Sequence, residues 1–407
     1  MKNFLTNAVI EIKNEKYFNL LIILTPILNF LSGITFDLHA PSLPAIATYF
    51  SAPISAAKNT ITLSLLGFSI GCIVFGTLLD IFGRRPIILL GLLIYTIASF
   101  SALASATIQE LLWVRFIQGF SVACLSIGCR TIILDIFTGH QFKVAILYTS
   151  LAFGIGPIIA PFIGGFLQYH FGWKANFITY GIVSLILMII FSLYISESKK
   201  SSEVFSLKNM FSNYINVMRH HSFLPGIIIA GLSQVQLLIY TTTGAFIIEN
   251  ILHGSAITYG NSALVISCGY LFGTLTNRFL IKNFSIYTLI GAGFILLFSS
   301  ILLQIIFSLS GNFNLLTLIL PITLIGFSNG FIFINVLTCC LRLSSSAGVA
   351  TALFTSAVMI IGTLGTGIVS HINVTSLIYL AAIFGIPAIV QLIVFLLFFK
   401  DIAKKAD

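Results

Sequence analysis

The fold of this chain is decided by residues 76–86, which read GTLLDIFGRRP. Asp80 lies where one long apolar run ends, and Pro86 suits the first turn of the helix that follows. Gly83 permits a tight turn between them, and the two arginines behind it hold that turn at a membrane surface. The stretch therefore predicts a short basic loop that joins two membrane-spanning helices.

The composition extends this prediction to the whole chain. Of its 407 residues, 58% are hydrophobic and 8% are charged, whereas soluble domains carry about 25% charged residues. Apolar runs of roughly 20 residues match the hydrocarbon core that one helix crosses, and the period-two alternation of a membrane barrel is absent. We predict an all-α integral membrane protein with twelve spans, at residues 17–40, 58–82, 86–106, 110–134, 143–167, 174–196, 222–247, 258–280, 285–309, 314–340, 346–370 and 374–399.

The positive charges give the expected orientation. Of the 20 Lys and Arg residues, 16 fall on the side of the spans that also holds both chain ends, and Arg115 and Arg130 lie within the fourth span. The opposite side receives only Lys58 and Lys174. Because basic loops stay in the cytoplasm, we predict a multi-pass protein of the plasma membrane, here a bacterial inner membrane, with both termini cytoplasmic. The net charge of +9 is then topological, and no nucleic-acid partner is expected.

A long polar gap divides the spans into two sets of six. We predict an N-terminal six-helix bundle at 1–196, a cytoplasmic linker at 197–221 and a C-terminal six-helix bundle at 222–407. The sequence GTLLD at 76–80 returns as GTLTN at 273–277, at the end of the equivalent span of the second half. Such repeated halves are a known transporter architecture.

Two stretches resemble motifs of the major facilitator superfamily. Residues 76–86 are similar to its signature loop, G-x-L-x-D-x-x-G-R-R/K, with Ile81 where a basic residue is usual. Residues 115–119, RFIQG, resemble its R-x-x-Q-G motif in the fourth span. The resemblance implies the major facilitator fold, and a charge such as Arg115 buried in a membrane is usually functional.

A further resemblance concerns the end of the fourth span. Arg130 and Asp135 are similar to the R-A-x-x-R-D stretch of drug-efflux members, and the resemblance implies that Arg84 links Asp80 to Asp135. Taken alone, Asp135 also fits a solvated acid at a helix end. We assign a conformational latch to Asp80, Gly83, Arg84, Arg85, Arg130 and Asp135.

The fifth span carries GPIIAPFIGG at residues 156–165. It resembles the antiporter motif of drug:proton exchangers, G-P-x-x-G-P-x-x-G-G, in the form typical of the Bcr/CflA subfamily. Small residues let helices pack closely and prolines free backbone carbonyls, although an ordinary Gly/Pro kink remains the alternative. The motif favours export, and we assign it to Gly156, Pro157, Ala160, Pro161, Gly164 and Gly165.

The first span ends in TFDLHAPSLP, residues 35–44, which resembles the Bcr/CflA stretch T-D-M-Y-L-P-A-L-P. A carboxyl in a low-dielectric site can take and release a proton, so we assign proton coupling to Asp37 and Arg115. Asp37 as a simple helix cap and His39 as a polar filler remain open alternatives. The expected substrate-binding residues combine amide, aromatic and imidazole side chains: His39, Gln118, Gln234, Tyr240, Asn329 and Asn335.

These motifs predict a proton-coupled secondary transporter that exports small amphipathic organic molecules by alternating access. The alternative is a transporter of the same fold, exporting or importing one metabolite or siderophore. No catalytic motif occurs and no spacing of the six Cys suggests a metal site, so we expect no enzyme activity, no catalytic residues, no metal and no cofactor. The expected partners are the substrate, protons and lipid, for a monomer.

Overall fold

The computed structural model of the protein describes residues 15–198, 223–342 and 347–405. In these ranges the regular structure is helical and no strand occurs. The helices are α1 (Glu15–Ile34), α2 (Leu43–Tyr49), α3 (Ile54–Phe82), α4 (Arg84–Ser101), α5 (Ile108–Ile136), α6 (Gly139–Phe171), α7 (Lys174–Tyr194), α8 (Phe223–Phe246), α9 (Ala256–Leu280), α10 (Ile286–Leu309), α11 (Leu315–Arg342), α12 (Ala347–Ser370), α13 (Leu377–Val394) and α14 (Lys400–Lys405).

Eleven of the described helices are long and apolar enough to cross a membrane. The remaining long helix, α9, has 25 residues, which suffices for a ~30 Å hydrocarbon core. It is less apolar because it carries Thr258, Asn261, Ser262 and Thr274 among other polar residues. With α9 the count equals the twelve predicted spans, and the prediction of an all-α membrane fold is confirmed.

The first predicted span is shorter than expected. It was expected to reach residue 40, whereas α1 ends at Ile34 and an irregular turn of residues 35–39 follows. A 3-10 turn, Ala40–Ser42, and the short α2 continue the chain. Pro41 prevents a continuous helix through residue 40, since proline lacks an N–H and disfavours helical geometry in the residue before it. Asp37 and His39 therefore lie in a turn and not in a helix.

The chain divides into two compact units. The first comprises Met1–His39 and Leu63–Phe205, and the second comprises Ala40–Thr62 and Ser206–Asp407. The segment Ala40–Thr62 thus packs with the second half of the sequence, although it precedes most of the first half in the chain. The predicted linker lies outside the described residues, apart from Glu197 and Ser198.

Each unit contains a pair of helices whose backbones approach closely at a glycine. In the first unit, a Cβ at Gly119 of α5 would overlap the carbonyl of Ser64 on α3. In the second unit, a Cβ at Gly273 of α9 would overlap the carbonyl of Phe327 on α11. Small residues at such crossings are typical of helices packed in membranes. The equivalent helices of the two halves are therefore packed in the same way.

Candidate functional site

The centre of the first unit is a buried arginine, Arg115 of α5, which has no exposed surface. Its Nη1 donates to Oε1 of Gln118 at 2.8 Å, and its Nη2 donates to the carbonyl of Thr35 at 2.8 Å. The amide of Gln118 donates in turn to Oγ of Ser99 at 2.9 Å. Gln118, an expected substrate ligand, therefore holds Arg115 in place and connects it to α4.

The carbonyl of Thr35 can accept these bonds because α1 ends just before it. The last carbonyls of a helix lack intrahelical partners, and cations are favoured there by the helix dipole. Tyr180 of α7 donates to the same carbonyl at 3.0 Å. The guanidinium of Arg115 also lies 5.8 Å and 6.0 Å from the ring centroids of Tyr180 and Phe177. The charge is thus stabilised by dipoles and aromatic faces from three helices.

Asp37 and His39 lie beside this network. The Asp37 side chain is 7% exposed, and its carboxyl is within electrostatic range of Arg115. His39 is fully buried, with its ring 6.1 Å from that of Phe177. The structure therefore brings Arg115 together with Asp37 and His39, which the motifs singled out from a separate part of the chain.

The antiporter stretch packs α6 on the end of α1. A Cβ at Gly164 would overlap the carbonyl of Leu38, the residue that follows Asp37. A Cβ at Gly156 would come within 3.0 Å of the backbone of Gly33. Ala160 and Pro161 lie between them in the buried face of α6, together with Gly165, while Pro157 is half-buried inside the same helix. The motif therefore positions the turn that carries Asp37 and His39.

The loop between α3 and α4 forms a second cluster, which we call the loop cluster and define as Asp80, Arg84, Asp135 and Glu197. Nε of Arg84 donates to Oδ2 of Asp135 at 2.7 Å. Nη2 of Arg84 lies 3.2 Å from Oδ1 of Asp80. The structure thus places Arg84 between the two acids, the geometry that the resemblance implies.

Glu197 is not among the site residues predicted from the sequence. Its two carboxylate oxygens accept the backbone N–H groups of Arg84 and Arg85 at 2.9 Å and 3.0 Å. The carboxylate therefore satisfies free N–H groups at the start of α4 and complements the positive end of the helix dipole. The only local signal was an acid just after the sixth predicted span, which by itself indicates no particular partner.

Two other members of the assigned latch have different positions. The guanidinium of Arg85 donates to the carbonyl of Ser192 at 2.8 Å, so Arg85 ties the loop to the end of α7. Arg130 does not join the loop cluster. It precedes Asp135 by five positions on α5, which turns the two side chains to different sides of the helix. The described residues provide no hydrogen bond or ion pair to Arg130.

The second unit has an amide and aromatic cluster. Asn329 of α11 donates to Oε1 of Gln236 on α8 at 3.0 Å. Tyr240 shares a hydrogen bond with Ser262, and its ring stacks on Tyr259 at 5.4 Å. Gln234 is half-buried on α8. These side chains provide stacking faces and amide groups within one unit.

Asn335 has a different setting from the other expected substrate ligands. Its Nδ2 donates to Oδ1 of Asn277 on α9 at 2.8 Å and to the carbonyl of Phe331 at 2.9 Å. Both asparagines are buried between α9 and α11. In this structure Asn335 therefore joins two helices, and its donors are already used.

Lys58 is a second residue whose contacts the sequence does not predict. Its position at the start of the second predicted span indicates only a loop charge. Its side chain is 2% exposed, and Nζ donates to the carbonyl of Ile372 at 3.0 Å. Nζ also lies 5.8 Å from the ring centroid of Phe246. All three residues belong to the second unit.

Comparison with known sequences agrees with this fold. A model of the Major Facilitator Superfamily matches residues 27–366. The chain is 27% identical over 254 residues to an uncharacterized transporter of Rickettsia bellii, covering 62% of this chain and 63% of that protein. It is 26% identical over 237 residues to the bicyclomycin resistance protein homolog of Haemophilus influenzae, covering 58% of this chain and 60% of that protein.

A third relative is the multidrug resistance protein MdtM of Salmonella typhimurium, 27% identical over 222 residues, with 54% of each chain covered. The three alignments therefore span between about half and two thirds of the relatives' lengths. Among solved structures, the D-xylose-proton symporter superposes with a TM-score of 0.71 at 15% identity, covering 92% of this chain and 96% of that chain. At that identity the likeness shows the fold alone.

Proposed function

Because the chain belongs to the major facilitator superfamily, whose members are membrane transporters, we propose that it exports small amphipathic organic molecules in exchange for protons. The transport step is alternating access, in which the two halves rock about a central site. Two relatives are described as a bicyclomycin resistance protein homolog and a multidrug resistance protein. Those names support an export function for this chain.

The observation that carries the proton coupling is the buried Asp37 beside Arg115. Arg115 is also held by Gln118 and the Thr35 carbonyl, two hydrogen bonds that do not involve the carboxylate of Asp37. Protonation of Asp37 then changes the net charge of the site while its framework stays in place. Coupling requires only that proton and substrate favour opposite conformations.

The position of Asp37 in the chain supports the same proposal. It lies shortly before Ala40, where the chain passes from the first unit to the second. A change of charge in this turn acts directly on the backbone that connects the two units. Gly156 and Gly164 hold the turn against α6, so the antiporter stretch is in place to transmit movement of the turn to a long helix.

On the substrate side, we propose that the amide and aromatic cluster of the second unit contributes contacts. Oδ1 of Asn329 is buried, and no described residue donates a hydrogen bond to it. An acceptor of this kind, in the same unit as the stacked rings of Tyr240 and Tyr259, suits an amphipathic molecule that carries both a donor and an apolar face.

The test is transport by purified protein in proteoliposomes under an imposed pH gradient, with a panel of fluorescent dyes of either charge. Asp37→Asn should abolish gradient-driven flux while exchange of dye between the two sides, without a gradient, continues. Glu110→Gln, which changes an exposed acid at the start of α5, should transport like the wild type. Gradient-driven flux that persists in Asp37→Asn would exclude Asp37 as the coupling residue.

A further inference from the structure

Arg130 is a charge within a span that the proposed mechanism does not use. It lies on α5, about four turns beyond Arg115, and its side chain is half-buried. Two arginines described above have strong acceptors. Arg84 pairs with Asp80 and Asp135. Arg115 donates to Gln118 and to the Thr35 carbonyl. In the described part of the chain Arg130 has none.

No acid among the described residues pairs with Arg130. The groups that interact with it electrostatically are the thiols of Cys72, on α3, and Cys129, its neighbour on α5. Both cysteines are buried and free, and a thiol is only a weak hydrogen-bond acceptor. A guanidinium has five N–H donors and keeps its charge in proteins. An uncompensated arginine within a membrane span is costly and points to a functional site.

There is open space on the same face of α3. Gly76 follows Cys72 by four positions, so the two residues lie one above the other on the helix. A Cβ placed at Gly76 would meet no atom within 4 Å. Arg130 and Gly76 also lie at equal distances from the ends of their helices, Ile136 and Phe82. The face of α3 that carries the Cys72 thiol therefore also carries Gly76, and no described side chain fills the space beside Gly76.

Buried positive charges outnumber buried negative ones. Among the described residues that are buried, Asp37 is the only acid, whereas Lys58 and Arg115 are bases. A cationic substrate would find the carboxylate of Asp37, already beside Arg115, and the half-buried carboxylate of Glu249, whose Oε1 accepts no hydrogen bond from a described residue. An anionic group would find Arg130 with its donors available.

We propose that Arg130 binds an anionic group of the transported molecule, a carboxylate or sulfonate, so that the substrate is an organic anion or zwitterion. This inference rests on the proposed transport function and specifies its substrate class. A planar guanidinium can bind both oxygens of such a group at once. Entry of the anion beside Gly76 supplies the acceptors that the protein itself does not provide.

The first test compares two dyes with the same xanthene scaffold and opposite charge, the anion fluorescein and the cation rhodamine 6G. Binding to the purified protein is measured by fluorescence anisotropy. Arg130→Gln should weaken fluorescein binding by about tenfold or more, the loss expected for one charge-assisted contact, and leave rhodamine 6G binding unchanged or tighter. Arg130→Lys should retain part of the anion affinity, since it keeps the charge but loses the planar fork.

Two matched controls separate this effect from misfolding. Arg278→Gln removes an exposed arginine at the end of α9 and should leave the affinity for both dyes unchanged. Gly76→Leu should block the anion while Arg130 is intact, whereas Gly154→Leu, at another open position on α6, should not. Added salt should weaken anion binding to the wild type more than to Arg130→Gln, because charge attraction is screened.

A second measurement avoids dependence on one dye. Thermal stabilisation of the protein by benzoate and naphthalenesulfonate is compared with that by benzamide, in the wild type and in Arg130→Gln. We expect the anions alone to stabilise, and only when Arg130 is present. If no anion in either assay binds in an Arg130-dependent way, or if rhodamine 6G is preferred over fluorescein, the anion site is refuted.

Flux measurements distinguish failure of this inference from failure of the transport proposal. If dyes are driven by a pH gradient but Arg130→Gln does not change their relative rates, the anion site is wrong and transport stands. If Arg130 governs binding but no dye is moved by a gradient, the proton-coupled export is wrong and the binding site stands.

Discussion

Nζ of Lys58 donates a hydrogen bond to the backbone carbonyl of Ile372 at 3.0 Å, across more than three hundred positions of sequence. One helical turn along α3, Oγ1 of Thr62 donates to Oγ1 of Thr366 at 3.2 Å. Both contacts lie inside the second unit, yet the segment Ala40–Thr62 that makes them is joined at both ends to the first unit. If the segment moves with the first unit during the proposed rocking motion, these contacts break and form again in each cycle.

Lys58→Met should therefore favour the conformation in which this segment has separated from α12. Methionine keeps an apolar stem but removes the charge and the hydrogen bond, worth about 1–2 kcal/mol. The assay measures how fast a membrane-impermeant maleimide labels the cysteine of a Thr62→Cys background. Labelling should be about 5–30-fold faster when Lys58→Met is added than in the parent with Lys58 intact.

The control for this experiment is Lys174→Met in the same Thr62→Cys background. Nζ of Lys174 donates to the carbonyl of Leu103 at 3.1 Å, the same kind of bond but within the first unit. Its loss should leave the rate of maleimide labelling unchanged. Equal rates for Lys58→Met and its parent would show that Lys58 does not hold the segment closed.

In the loop cluster, loss of Asp135 should cost more than loss of Asp80. Arg84 lies 2.7 Å from Asp135, whose side chain is 18% exposed. It lies 3.2 Å from Asp80, whose side chain is 48% exposed and whose ion pair is screened by solvent. We expect about 1.5–3 kcal/mol for Asp135→Asn and below about 1 kcal/mol for Asp80→Asn, read from melting temperatures of the purified protein and from transport rates. The reverse order would contradict this assignment of the stronger bond.

Glu197→Gln should weaken the start of α4. The carboxylate binds two backbone N–H groups there, and replacing its charge should cost about 0.3–1 kcal/mol. Gly83→Ala should be more severe, because Gly83 has φ of 98° and an added Cβ would come within 2.6 Å of Glu197. Hydrogen exchange of the Arg84 and Arg85 amides should increase in both variants; unchanged protection in Glu197→Gln would exclude the cap.

Gly164→Ala should impair both stability and transport, since the new methyl group overlaps the carbonyl of Leu38. Such overpacking costs about 1–3 kcal/mol. Gly154→Ala, on the same helix with open space around it, should be neutral or slightly stabilising because alanine favours helix. The two melting temperatures and the two dye-flux rates give the comparison, and equal behaviour would mean that α6 can move away from the turn without consequence.

Several features of the site follow from local sequence. The stretch 76–86 predicts a turn at Gly83 and a helix after it, because glycine and proline constrain the backbone wherever they occur. The placement of Arg84 between Asp80 and Asp135 was implied by family resemblance, and the structure has that geometry. The end of α1 lies earlier than the apolar run predicts, and Pro41 accounts only for the last residues of the difference.

Other features depend on contacts between distant segments. Glu197 caps a helix that begins more than a hundred positions earlier in the chain, and nothing in the residues around it specifies that partner. Arg130 and Asp135 looked like one motif in sequence, but the helical rotation between them separates their side chains. Lys58 looked like a loop charge until α8 and the turn after α12 enclosed it.

The sequence by itself determined the number of spanning helices, the basic loop and the glycines at the close crossings, because the membrane requires long apolar runs and tight packing requires small residues. The tertiary structure alone decided which polar side chains are neutralised. Asp37 lies beside Arg115, Asp135 binds Arg84, and Arg130 is left without an acceptor among the described residues. The physical reason is that a buried charge is compensated by whichever groups the packing of helices brings within a few ångströms, and that distance is not a local property of the chain.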